Sequence, residues 1–216
     1  MGELLLLDHL ATANEETKKE EEVAYFRSME EGENALKFSY FLKKHPIYSK
    51  AFVLVKSEAK VFPIAKLGSI SYGDSWGGER TFLGNRTHEG CDLMSNTNIR
   101  GEIPVFSMSD GILENKGWLT LGGWRIGIRT KSGVYFYYAH LDSYSKSLEV
   151  GQEVKAGQFL GFMGDSGYGE EGTIGQFDVH LHIGIYLEGE LIEKKGDNGY
   201  QDISINPYWI LKALEE

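Results

Sequence analysis

Two short segments carry most of the chemistry this chain can do. Phe177-Asp178-Val179-His180-Leu181-His182-Ile183-Gly184-Ile185-Tyr186 places two of the six histidines two residues apart in an apolar, β-branched run. Such a run reads as a strand, and residues i and i+2 of a strand point to the same face. Two imidazoles are therefore expected side by side on one sheet surface. Upstream, His88-Glu89-Gly90-Cys91-Asp92 offers a histidine and a carboxylate of equal parity, which an extended or gently bent segment shows to one side. Two imidazoles and a carboxylate suit a catalytic zinc that keeps its fourth position open. His88, Asp92 and His182 are the candidate ligands. His180 shares a face with His182, and His140 ends the aromatic run Tyr135-Phe136-Tyr137-Tyr138-Ala139-His140. Both are then free to relay protons or to donate to a developing oxyanion. Asp178 has the parity of the histidine pair and is a candidate acceptor for an imidazole N–H. His9 and His45 have no such company and read as ordinary residues. Cys91 should face away from Asp92 and pack as a small hydrophobe.

The elements that must position these groups are short. From Ala51 onward glycine becomes frequent and helix formers thin out. Segments 51–55, 103–106, 124–128, 134–138, 159–162 and 179–187 are strand candidates, most of them bounded by Gly, Ser, Asn or Asp. Lys131-Ser132-Gly133 reads as a hairpin turn. Many short strands at close spacing indicate an all-β sandwich or barrel. Residues 12–44 are charged and helical in character. Thr12-Ala13-Asn14-Glu15 fits a capping box, Val23, Phe26 and Met29 recur at helical spacing, and Pro46 is expected to end the pattern. Asn206-Pro207 opens a short C-terminal helix with Pro in its first turn. The expected organisation is a helical appendage over 1–50 and a β domain over 51–216.

Length and composition narrow the classes further. At 216 residues the chain can bury a sizeable core without covalent staples, and its one cysteine excludes an internal disulfide framework. With 22 basic and 32 acidic residues the net charge is −10, which argues against a nucleic-acid partner. An acidic body is not steered towards anionic surfaces either, so a polymer partner would be recognised locally, in a groove. No segment reads as a transmembrane span. Leu4 to Leu7 is too short for a signal peptide and lacks a basic flank, so no export signal is visible.

Several segments, in order, resemble the motifs of the lysostaphin-type zinc metallopeptidases, which are bacterial peptidoglycan endopeptidases. Arg86-Thr87-His88-Glu89-Gly90-Cys91-Asp92 resembles their Arg-x-His-x-x-x-Asp signature. Pro104-Val105 followed by Asp110-Gly111, Tyr138-Ala139-His140-Leu141, and the glycine-bounded Val150 to Gly161 resemble the segments that follow it. Gly161 to Gly167, His180-Leu181-His182 and Asn206-Pro207 complete the series. The resemblance spans roughly Phe62 to Trp209. It implies a mainly β duplicated hybrid motif, with antiparallel sheets around a central groove, preceded here by a short helical N-terminal segment. It implies one Zn2+ per chain on His88, Asp92 and His182. His140 and His180 would activate water or stabilise the tetrahedral intermediate, and the substrate would be a peptide of peptidoglycan, outside the cytoplasm. Residues 74–80 have no counterpart in the family pattern, the glycine-rich loop 168–175 is longer than usual, and both are expected on the rim of the groove.

Other readings explain less. Val150 to Gly161 also resembles lipoyl and biotin carrier domains, but no lysine at a hairpin tip accompanies it. A purely structural zinc would be closed by four protein ligands. The main alternative is a non-cutting, metal-containing wall-binding regulator of other hydrolases.

Overall fold

The computed structural model describes residues 40–215 apart from 41, 83, 189–194, 197–198 and 201–202. The helices expected over residues 12–39 lie outside the described residues. The chain divides into two compact units, Met1–Ser57 and Glu58–Glu216.

In the first unit, helix α1 (Pro46–Glu58) overturns one expectation and extends another. The helical residues 40 and 42–44 do stop before Pro46, as expected, but Pro46 then begins a new helix, and Ala51–Val55 is helical, not a strand. Pro at the start of a helix loses only an N–H that has no intrahelical partner, and its φ is already helical. The short apolar run is compatible with either structure by periodicity alone. The buried set Ala51, Phe52 and Val55 follows the i, i+1, i+4 spacing of one helical face.

The second unit is mainly β, as expected. Its strands are β1 (Ile70–Ser71), β2 (Glu79–Arg80), β3 (Arg86–Thr87), β4 (Cys91–Ser95), β5 (Pro104–Phe106), β6 (Gly111–Leu119), β7 (Gly123–Arg129), β8 (Val134–Tyr144), β9 (Glu153–Val154), β10 (Phe159–Met163), β11 (His180–Leu187), β12 (Lys195–Gly196), β13 (Gly199–Tyr200) and β14 (Ile203–Ser204). Ten of them form one antiparallel sheet whose main path runs β1-β4-β11-β8-β7-β6-β9. Strand β10 pairs with β8 and β5, and β14 with β11. Two small hairpins, β2–β3 and β12–β13, stand apart from it. Lys131-Ser132-Gly133 turns β7 into β8 as expected. Helix α2 (Pro207–Lys212) starts with Pro207, and the Asn206 side chain accepts a hydrogen bond from the Tyr208 N–H.

Alternation along the central strands separates core from groove. Leu181, Ile183, Ile185 and Leu187 of β11 are fully buried on one face, with Val134, Phe136 and Tyr138 of β8 and Ile126 and Ile128 of β7. Each such aliphatic side chain contributes about 1.5–3 kcal/mol by leaving water. That face therefore pins the register, because a one-residue slip would invert every side chain. The opposite face carries His180, His182 and Tyr186 on β11, Asp92 on β4, and Tyr135 and Tyr137 on β8. Strand β4 was missed as a strand because its five residues, Cys91-Asp92-Leu93-Met94-Ser95, carry a charge and only a brief alternation.

One irregularity matters for the site. Between Trp124↔Leu141 and Ile126↔Tyr138 the β8 strand has one residue more than β7. The extra residue falls at Ala139–His140, and His140 has a left-handed backbone with φ 61°. Tyr138 and Leu141 both point into the core, so Ala139 and His140 both turn towards the groove. Strict alternation would have buried His140 beside Tyr138. A bulge of this kind re-aims a side chain.

Candidate metal centre and groove

Asp92 lies directly opposite His182 in the β4–β11 ladder. His88 reaches the same point from the segment leading into β4. It is held there from behind: its N–H donates to the Gly78 carbonyl and its C=O accepts from the Gly77 N–H, each at 2.7 Å. The imidazole Nδ1 donates to the Ser75 carbonyl at 2.8 Å. That bond leaves Nε2 as the nitrogen turned towards the centre. Residues 74–80, expected on the rim, thus also fix the orientation of His88.

Three donor atoms meet. His88 Nε2 lies 2.9 Å from His182 Nδ1 and 3.1 Å from Asp92 Oδ1, and His182 Nδ1 lies 2.9 Å from Asp92 Oδ1. Donors bonded at about 2.0–2.2 Å to one tetrahedral ion stand roughly 3.3–3.6 Å apart, so this triangle would only have to open slightly around a cation. Burial opposes ionisation of Asp92, but hydrogen bonds from His182 and His88 outweigh it and hold its carboxyl well below the usual carboxylate range. Burial also pushes the His182 imidazole down, against the opposing pull of Asp92. An ionised carboxylate and two imidazoles whose inward nitrogens would give up their protons to a metal are a fit for zinc. The other oxygen, Asp92 Oδ2, accepts from Arg80 Nη2 at 2.8 Å. Sequence reasoning missed Arg80, whose only signal is its place in an otherwise unassigned segment.

The remaining two histidines flank the triangle. The His180 and His140 rings are 4.6 Å apart, and His180 Nε2 is 3.9 Å from Asp92 Oδ1. Each donates Nδ1–H to a backbone carbonyl, His180 to Asp178 at 2.7 Å and His140 to Ser166 at 2.8 Å. Asp178 therefore acts through its main chain, and its carboxylate accepts instead from Asn98 Nδ2. Burial, reinforced by His180 and His182, pushes His140 well below the ordinary histidine range, so it is neutral at pH 7. Phe177 packs on both rings, 4.6 Å from His140 and 5.0 Å from His180. Cys91 is fully buried, as expected, with burial pushing its thiol up.

The centre opens into a groove of about 970 Å³. Its floor is tyrosine: Tyr137, 5.9 Å from the His182 ring, then Tyr186 and Tyr135. Glycines make room for them. A Cβ on Gly122 would stand 2.1 Å from the Tyr137 hydroxyl, and one on Gly127 1.7 Å from that of Tyr135. Of the aromatic residues outside the motifs, Tyr168 lines the groove and stacks on Phe82 at 4.3 Å. Trp118 and Trp124 instead pack on each other edge to face, and Trp76 hydrogen-bonds Ser204.

Comparison with known proteins bears on the family and the fold. The profile of Peptidase family M23 matches residues 86–194. The L-Ala--D-Glu endopeptidase of Bacillus subtilis is 40% identical over 166 residues, 77% of this chain and 47% of that protein. The glycyl-glycine endopeptidase ALE-1 of Staphylococcus capitis is 33% identical over 104 residues, 47% of this chain and 27% of its own length. The chain thus spans less than half of the curated relatives it matches. A crystal structure from Ruminococcus gnavus that carries the name glycyl-glycine endopeptidase lytM superposes with a TM-score of 0.63 at 39% identity, covering 98% of this chain and 86% of that one.

Proposed function

Because the chain belongs to peptidase family M23, we propose that it is a zinc-dependent endopeptidase acting on the peptides of peptidoglycan, outside the cytoplasmic membrane. The observation that carries this reading is the His88–Asp92–His182 triangle, open on one side to a groove and flanked there by two histidines with committed Nδ1 atoms. His88 Nε2, Asp92 Oδ1 and His182 Nδ1 would hold the ion. A bound zinc supplies Lewis acidity: it polarises a carbonyl and lowers the pKa of water to roughly 7.

The chain's own groups do the rest. The groove floor aligns an extended peptide, bringing one carbonyl carbon to the open side of the triangle. Neutral His140 offers Nε2 as a base, takes a proton from the attacking water, and returns it to the amine nitrogen as the C–N bond breaks. His180 Nε2 also faces the centre, and in its doubly protonated form it would donate to the oxygen that gains charge. One water is consumed, and a carboxylate and an amine leave. The Ser166 and Asp178 carbonyls keep both rings in the required tautomer. Among the described residues no helix is long and apolar enough to cross a membrane.

The test is muropeptide release from purified peptidoglycan sacculi, with metal content measured on the same sample. Chelator-sensitive release from a protein holding about one zinc is expected. One zinc without release from several wall chemistries would overturn the peptidase reading in favour of a non-cutting regulator.

A further inference from the structure

The groove holds two cations that nothing above uses. Arg125 lies on β7 opposite the Ala139–His140 bulge and lines the groove with Tyr135, Tyr137 and Asn115. Its Nη1 is buried and has no hydrogen-bond partner in the protein. Arg86, on β3, also lines the groove and has an equally buried and unpartnered Nε, while its Nη2 makes one long bond of 3.4 Å to the Tyr168 hydroxyl. Among the described residues no carboxylate lies within ion-pair distance of either guanidinium, although Arg80, Arg100 and Arg129 each have one. In a chain of net charge −10 this is a selective omission. A buried guanidinium nitrogen left without an acceptor is costly, and persists where a ligand completes it. The guanidinium fork matches a carboxylate better than any neutral group. The neighbouring floor hydroxyls remain donors at neutral pH, because burial pushes Tyr186 up to about 12 and Tyr137 higher still.

We propose that Arg125, assisted by Arg86, forms a carboxylate-binding subsite, so that the preferred substrate is a peptide with an acidic residue beside the scissile bond rather than a run of glycines. This rests on the groove being the peptide-binding site proposed above. Two guanidinium groups without carboxylate partners stand on a tyrosine floor, next to the only cluster of three metal-donor groups among the described residues.

The test uses the zinc-loaded full chain and two synthetic tripeptides, identical except that one bears a free carboxylate at the acidic residue and the other its carboxamide. Binding is measured by calorimetry and cleavage by chromatography. Charge-assisted hydrogen bonds of this kind predict roughly ten- to hundredfold tighter binding of the carboxylate form. In Arg125→Gln that ratio should collapse towards one, and Arg125→Lys should restore part of it. Equal binding of the two peptides by the unaltered protein would overturn the subsite, even if cleavage is brisk. Carboxylate-selective, Arg125-dependent binding without cleavage of either peptide would support the subsite while sinking the peptidase reading. The wild-type ratio decides the matter even if an arginine variant fails to fold.

Discussion

Gly90 lies against the His182 imidazole so closely that a Cβ there would stand 2.3 Å from Cε1 and 2.5 Å from Nε2. It would also meet the Ile183 carbonyl oxygen at 2.6 Å, a backbone atom that cannot swing away. The absent side chain thus sets where a candidate ligand can stand. Gly90→Ala should displace the ring from Asp92 and weaken metal binding by about ten- to a hundredfold, the usual effect of disturbing groups that orient ligands. Competition with a fluorescent chelator measures this. An unchanged metal affinity would mean that the ring has room the geometry denies it.

Ligands and proton carriers should separate experimentally. His88→Ala and Asp92→Ala should each lose the metal and the activity together. His140→Ala should keep the metal and lower kcat by roughly 10²–10⁴, the range for removing a general acid–base group. Metal analysis beside turnover distinguishes the two classes, and full turnover in His140→Ala would remove His140 from the mechanism.

Arg80 holds the second oxygen of Asp92 at 2.8 Å, leaving Oδ1 to face the two histidines. Arg80→Gln should free the carboxylate to rotate. Metal affinity should fall about tenfold or more, with KM for peptide little changed. A change in KM alone would place Arg80 on the substrate instead.

The tyrosine floor depends on the glycines beneath it. Gly122→Ala and Gly127→Ala should lift Tyr137 and Tyr135 out of the floor, since the clashing atoms are the free ends of those side chains. Metal content should stay constant while KM rises several-fold. Thermal melting checks that the core is intact, and a normal KM with a normal melt would show that the floor does not bind substrate.

Much of this protein was legible in the chain. The parity of His180 and His182, the hairpin at 131–133, the capped C-terminal helix and the ordered motifs are local or nearly local properties. Alternation and turn chemistry declare those without the rest of the fold, and the family and the mainly β architecture follow from them. The helix over Ala51–Val55 was not legible, because a five-residue apolar run looks the same in both periods.

Other features depended on chain segments distant in sequence coming together. Only the β4–β11 register sets Asp92 opposite His182. Only the extra residue in β8 turns His140 out of the core. The carbonyls of Ser75 and Ser166, 13 and 26 residues from the histidines they orient, carry no side-chain signal at all. Arg125 gave no sign in the sequence that its guanidinium would be buried without a partner. Residue types and short spacings determined which chemistry was available. Long-range strand pairing decided which atoms face one another, because distances and unpaired groups exist only once remote strands are in register.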